Sequence, residues 1–429
     1  MTAPPRQSYM RPGFAIALAL RLLTSSLAIL VPLYAISLGA SPSEAGVFVV
    51  VLWLGNGVGA AMATLAIRNQ SVSSTAGFVI LGASMLALGS RVPSVPLLLG
   101  VLASGIGMGL PQPFLSAAMH LDSAPERPFT GLGVYTTALG VGLVLGPLVA
   151  YGVHVAYGFS GVFEALAVVS ALGAVGAWAG RGGLAGRPRP PVPSVVGWAR
   201  ALAKPSVRRA LAVNLLYSLL LPVFLSYGGV YAEARFGFSP GGAFLLFTLV
   251  FLVSASARYA SIGRTMDPGR VLLASTGFLV VSALCVGLAP SWPAFVAGML
   301  LFSVPHAMVF PVANFLAFRS VDEGDVANVS YAFQASSGAA EVLSPVMAVI
   351  LIPVAGLQGL FSIGAAVACL AFVLAVQRFA TPPTAPPGSS GPQDALPPGD
   401  AKSPRAVGLS GDGISCGGPG VGALARQKL

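Results

Sequence analysis

Apolar residues run in stretches of helix-spanning length, and short breaks of Gly, Pro, Ser and charged residues separate them. A helix of about 20 such residues crosses a bilayer. Twelve spans are predicted, at 14–37, 44–66, 74–90, 94–117, 128–152, 158–180, 208–231, 240–260, 270–289, 292–317, 327–352 and 357–378. No alternating polar and apolar pattern of strand type competes with them.

Composition agrees with a membrane solvent. Charged residues make up 8% of the chain, against about 25% in soluble domains, and the mean hydropathy is +0.84. The net charge of +10 does not argue for nucleic acid, because the basic residues fall in the gaps between apolar runs. There they act as topology signals. With the N-terminus inside, twenty Lys and Arg fall on the cytoplasmic side, and Arg91 and Arg235 fall outside. Both termini are therefore expected in the cytoplasm of a multi-pass plasma-membrane protein. No cleavable signal peptide is expected, since the first apolar run, from Phe14, is too long for one.

The longest internal gap, 181–207, is basic and Pro-rich. It separates an N-terminal six-helix bundle, 1–180, from a C-terminal one, 208–380. Beyond 381 the chain is Pro/Gly-rich and is expected to form a disordered cytoplasmic tail. The two bundles repeat each other at an offset of 198: LGASP at 38–42 matches FGFSP at 236–240. The same offset pairs Gly89 with Gly287, Gly100 with Gly298, Pro113 with Pro311 and Pro147 with Pro345. Matched Gly and Pro mark close helix contacts and kinks rather than hydrophobicity alone. The expected fold is thus an all-α membrane protein of twelve helices in two six-helix pseudo-repeats.

This organisation resembles the major facilitator superfamily over about residues 12–379. The resemblance implies a substrate site at the bilayer midplane between the two repeats, and alternating access around it. A loop motif of that family, G-x-x-x-D-R-x-G-R-R, has no match in AIRNQSVSS between spans 2 and 3. A shortened copy stands between spans 8 and 9 as IGRTMDPGR, with Gly263, Asp267, Gly269 and Arg270. By resemblance these residues form a conformational-switch loop; an ordinary positive-inside turn reads the same way. Span 5 carries part of an exporter motif as GLVLGPLVAYG, with Gly142, Gly146, Pro147 and Gly152. A small-residue packing seam accounts for it equally. The family's exporter motif in span 4 is missing, with Val101 and Ser104 in place of its Arg and Gln.

Charge at bilayer depth costs about 2.5–3.5 kcal/mol on insertion scales and marks function by default. Glu341, His306 and Arg21 lie well inside spans. Glu341 is mid-span, with Gln334, Ser337, Ser344 and Pro345 at helical spacings that put them on its face. It is the candidate proton carrier or binder of a cationic substrate, against a protonated side chain bonded to a neighbouring helix. Arg21 is a counter-ion candidate, or a side chain that snorkels to the interface. His306 suits proton coupling by its ordinary pKa or serves packing. Asn56, Gln112, Asn214, Tyr217 and Ser218 are further cavity-lining candidates.

The chain has no P-loop, no HExxH and no Cys/His cluster of metal spacing. No enzyme activity, cofactor or metal is expected. The expected function is secondary transport of a small molecule, proton-coupled efflux included, by a monomer in the bilayer. The alternatives are import of a metabolite, and a non-transporting sensor or scaffold.

Overall fold

A computed structural model describes residues 10–65, 67, 69–90, 94–113, 128–180, 194–261, 266–322 and 325–379. The expected tail beyond 381, residues 114–117 of span 4, residues 181–193 of the central loop, and Gly263 and Arg264 lie outside the described residues.

The elements follow in chain order. α1 is Met10–Ser37, α2 Pro42–Leu65, α3 Gln70–Gly89 and α4 Ser94–Gly109. α5 is Pro128–Ala179, α6 Val195–Ala203 and α7 Pro205–Pro222. A π turn, Val223–Tyr227, joins α7 to α8, Gly228–Phe236. It follows Pro222, whose missing N–H breaks the regular ladder. α9 is Pro240–Ser261, α10 Pro268–Gly287, α11 Trp292–Phe318 and α12 Val326–Phe379. Among the described residues no strand occurs, nine helices are long and apolar enough to cross a membrane, and α4 contains a shorter apolar helix.

The starts are written locally. Ser41 and Glu44 form a capping box at α2: Ser41 N–H donates to Glu44 Oε2 at 2.7 Å, and Glu44 N–H to Ser41 Oγ at 3.2 Å. Ser239 serves α9 through Gly242 N–H, at 3.1 Å. That is why α2 begins two residues before the apolar run itself.

Where two spans with a loop between them are expected, α5 and α12 are continuous helices of 52 and 54 residues. Each has one non-helical residue, Gly158 (φ 64°, ψ −162°) or Gly356 (φ 68°, ψ 177°). One glycine at positive φ makes the corner, so no loop is needed. Before Gly158, α5 runs parallel to α1, with Gly142 against Leu22 and Gly146 against Ser26. After it, the chain runs back along α3, from Phe163 at Gly89 to Ala177, whose carbonyl accepts from Ser71 Oγ at 2.9 Å. α12 reverses likewise: Ser337 lies at Asn214 on α7, and Gly364, past the corner, lies at Leu220.

Several contacts recur at the 198-residue offset. The positive-φ glycines are Gly39, Gly158, Gly237 and Gly356, two such pairs. Gly100 packs on Leu88, and Gly298 on Val286. Gly89 faces Phe163, and Gly287 faces Phe361. Ser104 Oγ donates to Gly100 O at 2.8 Å and lies 2.9 Å from Ser84 Oγ, while Ser282 Oγ donates to Gly298 O at 2.8 Å.

Small residues set the tightest contacts. Gly55, Gly105 and Gly109 bring the α2 and α4 backbones together, and a Cβ on Gly105 would strike the Leu52 carbonyl. Without a hydrophobic drive between helices in lipid, such close approach is a main source of association. The expected linker 181–207 is partly built: Ala201 of α6 packs with Val207, Ala210, Ala313, Ala317, Val329 and Phe333. Arg200 and Lys204 pair with Asp325 and Asp322, both at 3.7 Å.

Candidate functional site

Glu341 sits on the first arm of α12 and is half-buried. One turn before it, Gly338 faces open space, and Gln334 is exposed. Ser337 and Ser344 point elsewhere. Ser337 Oγ accepts from Asn214 Nδ2 at 3.0 Å and from Ser218 Oγ at 3.2 Å, all three residues being buried. Ser344 is buried and its Oγ has no partner. The polar stripe read from the sequence is therefore divided. Gln334, Gly338 and Glu341 line an open face, while Ser337 locks α12 to α7.

Arg21 comes from α1 and is half-buried. Its Cβ lies where a side chain on Gly142 of α5 would have to go. Gly146 makes the same close fit one turn on, against Leu22 O and the Ser25 and Ser26 hydroxyls. These two glycines of the span 5 motif thus form a seam that seats α1. Pro147 lies inside α5 beside them, and Gly152 faces open space. Arg21 carries the positive charge that the sequence offered as a counter-ion for Glu341. Among the described residues no ion pair joins them, and Arg21 Nε is buried without a hydrogen bond.

His306 of α11 is 4% exposed. Its Nδ1 lies 2.9 Å from the Tyr217 hydroxyl of α7 in a hydrogen bond. Its ring stacks at 5.9 Å on Phe302 and lies 5.5 Å from Phe251. Its Nε2 has no partner, and neither has Ser303 Oγ, one turn before it. The His306 carbonyl accepts from Arg258 Nη2 at 2.8 Å, and Arg258 Nε is buried and unpartnered.

Arg258 is the residue that sequence reasoning missed. It falls three positions before the end of α9 and counts as a cytoplasmic charge. The one signal was that the predicted span, 240–260, already contained it. Packing of α9 on α11 turns it toward the His306 carbonyl.

The remaining candidates lie apart from this group or are tied up in packing. Gln112 Nε2 donates to Asn56 Oδ1 at 3.1 Å, between α4's end and α2. Asp267 caps α10, accepting from Gly269 N–H at 2.8 Å, and lies 3.8 Å from Arg270. Both Asp267 and Arg270 are largely exposed. No group of three or more metal-ligating side chains occurs among the described residues.

No protein-family model matches the chain. No curated protein matches it either. Solved structures do. The human organic anion transporter MFSD10 (TETRAN) superposes with a TM-score of 0.62 at 19% identity, covering 87% of this chain and 100% of that one. A POT family transporter in complex with a thioalcohol-conjugated peptide gives 0.69 at 14% identity, covering 86% and 95%. A mutant of the nucleoside transporter NupG gives 0.65 at 13%, covering 87% and 99%. The chain therefore shares the fold of these solved transporters and spans nearly the full length of each.

Proposed function

We propose that this chain is a secondary transporter that moves a small molecule across the plasma membrane by alternating access, with Glu341 carrying the coupled proton. Twelve crossings support the architecture: nine long apolar helices, α4, and the returning arms of α5 and α12. They group as six and six around the α6 segment, with both termini cytoplasmic and the chain acting as a monomer. The neighbours are named for peptide, nucleoside and organic anion cargo, and this reading gives the chain a cargo of similar size.

One observation carries the proposal. A single carboxylate, Glu341, stands half-buried on an open face of α12 beside Gln334 and Gly338. A group placed between two moving bundles meets different surroundings in each state, which is what proton coupling requires. Efflux is not argued from the span 5 glycines, since their packing against α1 accounts for them. The Asp267–Arg270 loop keeps its place as a candidate switch at the cytoplasmic end of α10.

The test is flux into vesicles holding Glu341→Gln protein. Uptake should persist while its response to an imposed pH gradient disappears. Full gradient dependence in that variant would remove Glu341 from the coupling.

A further inference from the structure

α5 packs against the two helix segments that carry Arg21 and Arg258. Gly142 seats Arg21 of α1, and two residues earlier Gly140 lies 3.6 Å from Ala255 Cβ of α9. Ala255 precedes Arg258 by one helical turn. Each guanidinium keeps a buried Nε with no hydrogen-bond partner. The unpartnered His306 Nε2 and Ser303 Oγ belong to the same α11 segment that Arg258 binds. His306 is 4% exposed and Ser303 0%. Against these donors stands one carboxylate, Glu341, which pairs with neither arginine among the described residues.

Such an arrangement is costly when empty. A buried guanidinium N–H without an acceptor forfeits solvation, and low-dielectric surroundings magnify the mutual repulsion of two like charges. An oxyanion relieves both at once, because the planar guanidinium fork matches a carboxylate or phosphate through two parallel bonds. We propose that Arg21 and Arg258 form the anion-binding end of the transport site, and that the cargo carries a carboxylate or phosphate group there. This rests on the transport reading above. Arg258 then has two roles, holding the α11 backbone through the His306 carbonyl and presenting its free Nε edge to the cargo. Glu341 sits on the bundle opposite Arg21 and on the same bundle as Arg258, so that a protonated carboxyl admits the anion and an ionised one repels it.

The experiment uses the purified full chain in detergent and follows its melting midpoint against ligand concentration, since binding to the folded state raises it. The probes are hexanoate and benzoate, each beside its uncharged amide, and inorganic phosphate. An anion that binds here should raise the midpoint where its amide does not, with the stronger of carboxylate and phosphate identifying the headgroup. Arg21→Gln and Arg258→Gln should each weaken that response about tenfold, the scale of one lost charge-assisted hydrogen bond. Arg21→Lys and Arg258→Lys keep the charge without the fork, and should weaken it less while melting as the parent does. The lysine variants decide the matter if a glutamine variant does not fold. Equal protection by amides, no protection by any probe, or unchanged responses in all folded variants would overturn the anion site. Flux of uncharged compounds by a protein that ignores these anions would sink the anion and keep transport. Anion binding with no flux into vesicles would do the reverse.

Discussion

A methyl group on Gly105 would run into the Leu52 carbonyl of α2, whereas one on Gly57, also in a helix, would meet nothing within 4 Å. Both lie in small-residue stretches that look alike in the sequence, GNGVG and GIGMG. The two sites should part on substitution. Gly105→Ala has to push two backbones apart and should lower the melting midpoint clearly. Gly57→Ala should leave it unchanged or raise it, by at most about 1 kcal/mol of helix preference. Equal effects would deny the α2–α4 contact its role. At this scale Glu341 and His306 stand out in the sequence, because ionisable groups inside apolar runs are costly. It concealed Arg258, because a charge three residues from a helix end reads as a topology signal until packing shows which way it points.

Elements were largely legible, and the corners show why. Gly158 and Gly356 sit at one offset in the sequence and take similar positive-φ conformations. Neither has a neighbour within 4 Å, so space does not constrain them. Their backbone does. Gly158→Ala and Gly356→Ala should each destabilise by about 1–3 kcal/mol from conformation alone, in contrast to the equally open but helical Gly57. A calorimetric or denaturant midpoint that treats all three alike would show that the corners carry no strain. What the pattern could not give was the absence of any loop at those corners, since helical and turn residues share the same apolar composition there. Nor did it give α6, whose short helix lies within a Pro-rich, basic gap and is held by Arg200–Asp325 and by Ala201 packing.

In the whole molecule, α2 meets α12 and the π turn close to the α1–α2 turn. Ser43 Oγ donates to Val349 O at 3.0 Å, and Gly46 lies against Tyr227 and Val349. If transport needs α2 and α12 to part, tying them should stop it. In a background where Cys285, Cys369 and Cys416 are replaced by Ala, Ser43→Cys with Val349→Cys should lose flux on treatment with a short bifunctional thiol reagent that reduction can cleave. Flux should return on reduction. Undiminished flux in the cross-linked protein would mean that this contact need not open.

The apolar segments, and the Gly and Pro that recur at the 198-residue offset, follow from short-range rules: helix length against bilayer thickness, and the one residue type that tolerates positive φ. Tertiary packing alone decided which polar groups meet. Tyr217 with His306, Asn214 with Ser337, and Arg258 with the His306 carbonyl are separated by 89, 123 and 48 residues. A helical period places a residue on a face of its own helix; only the rotation and depth of the neighbouring helix decide whether that face meets a partner or open space. For that reason Ser337 and Glu341, one turn apart, ended on opposite sides of that divide.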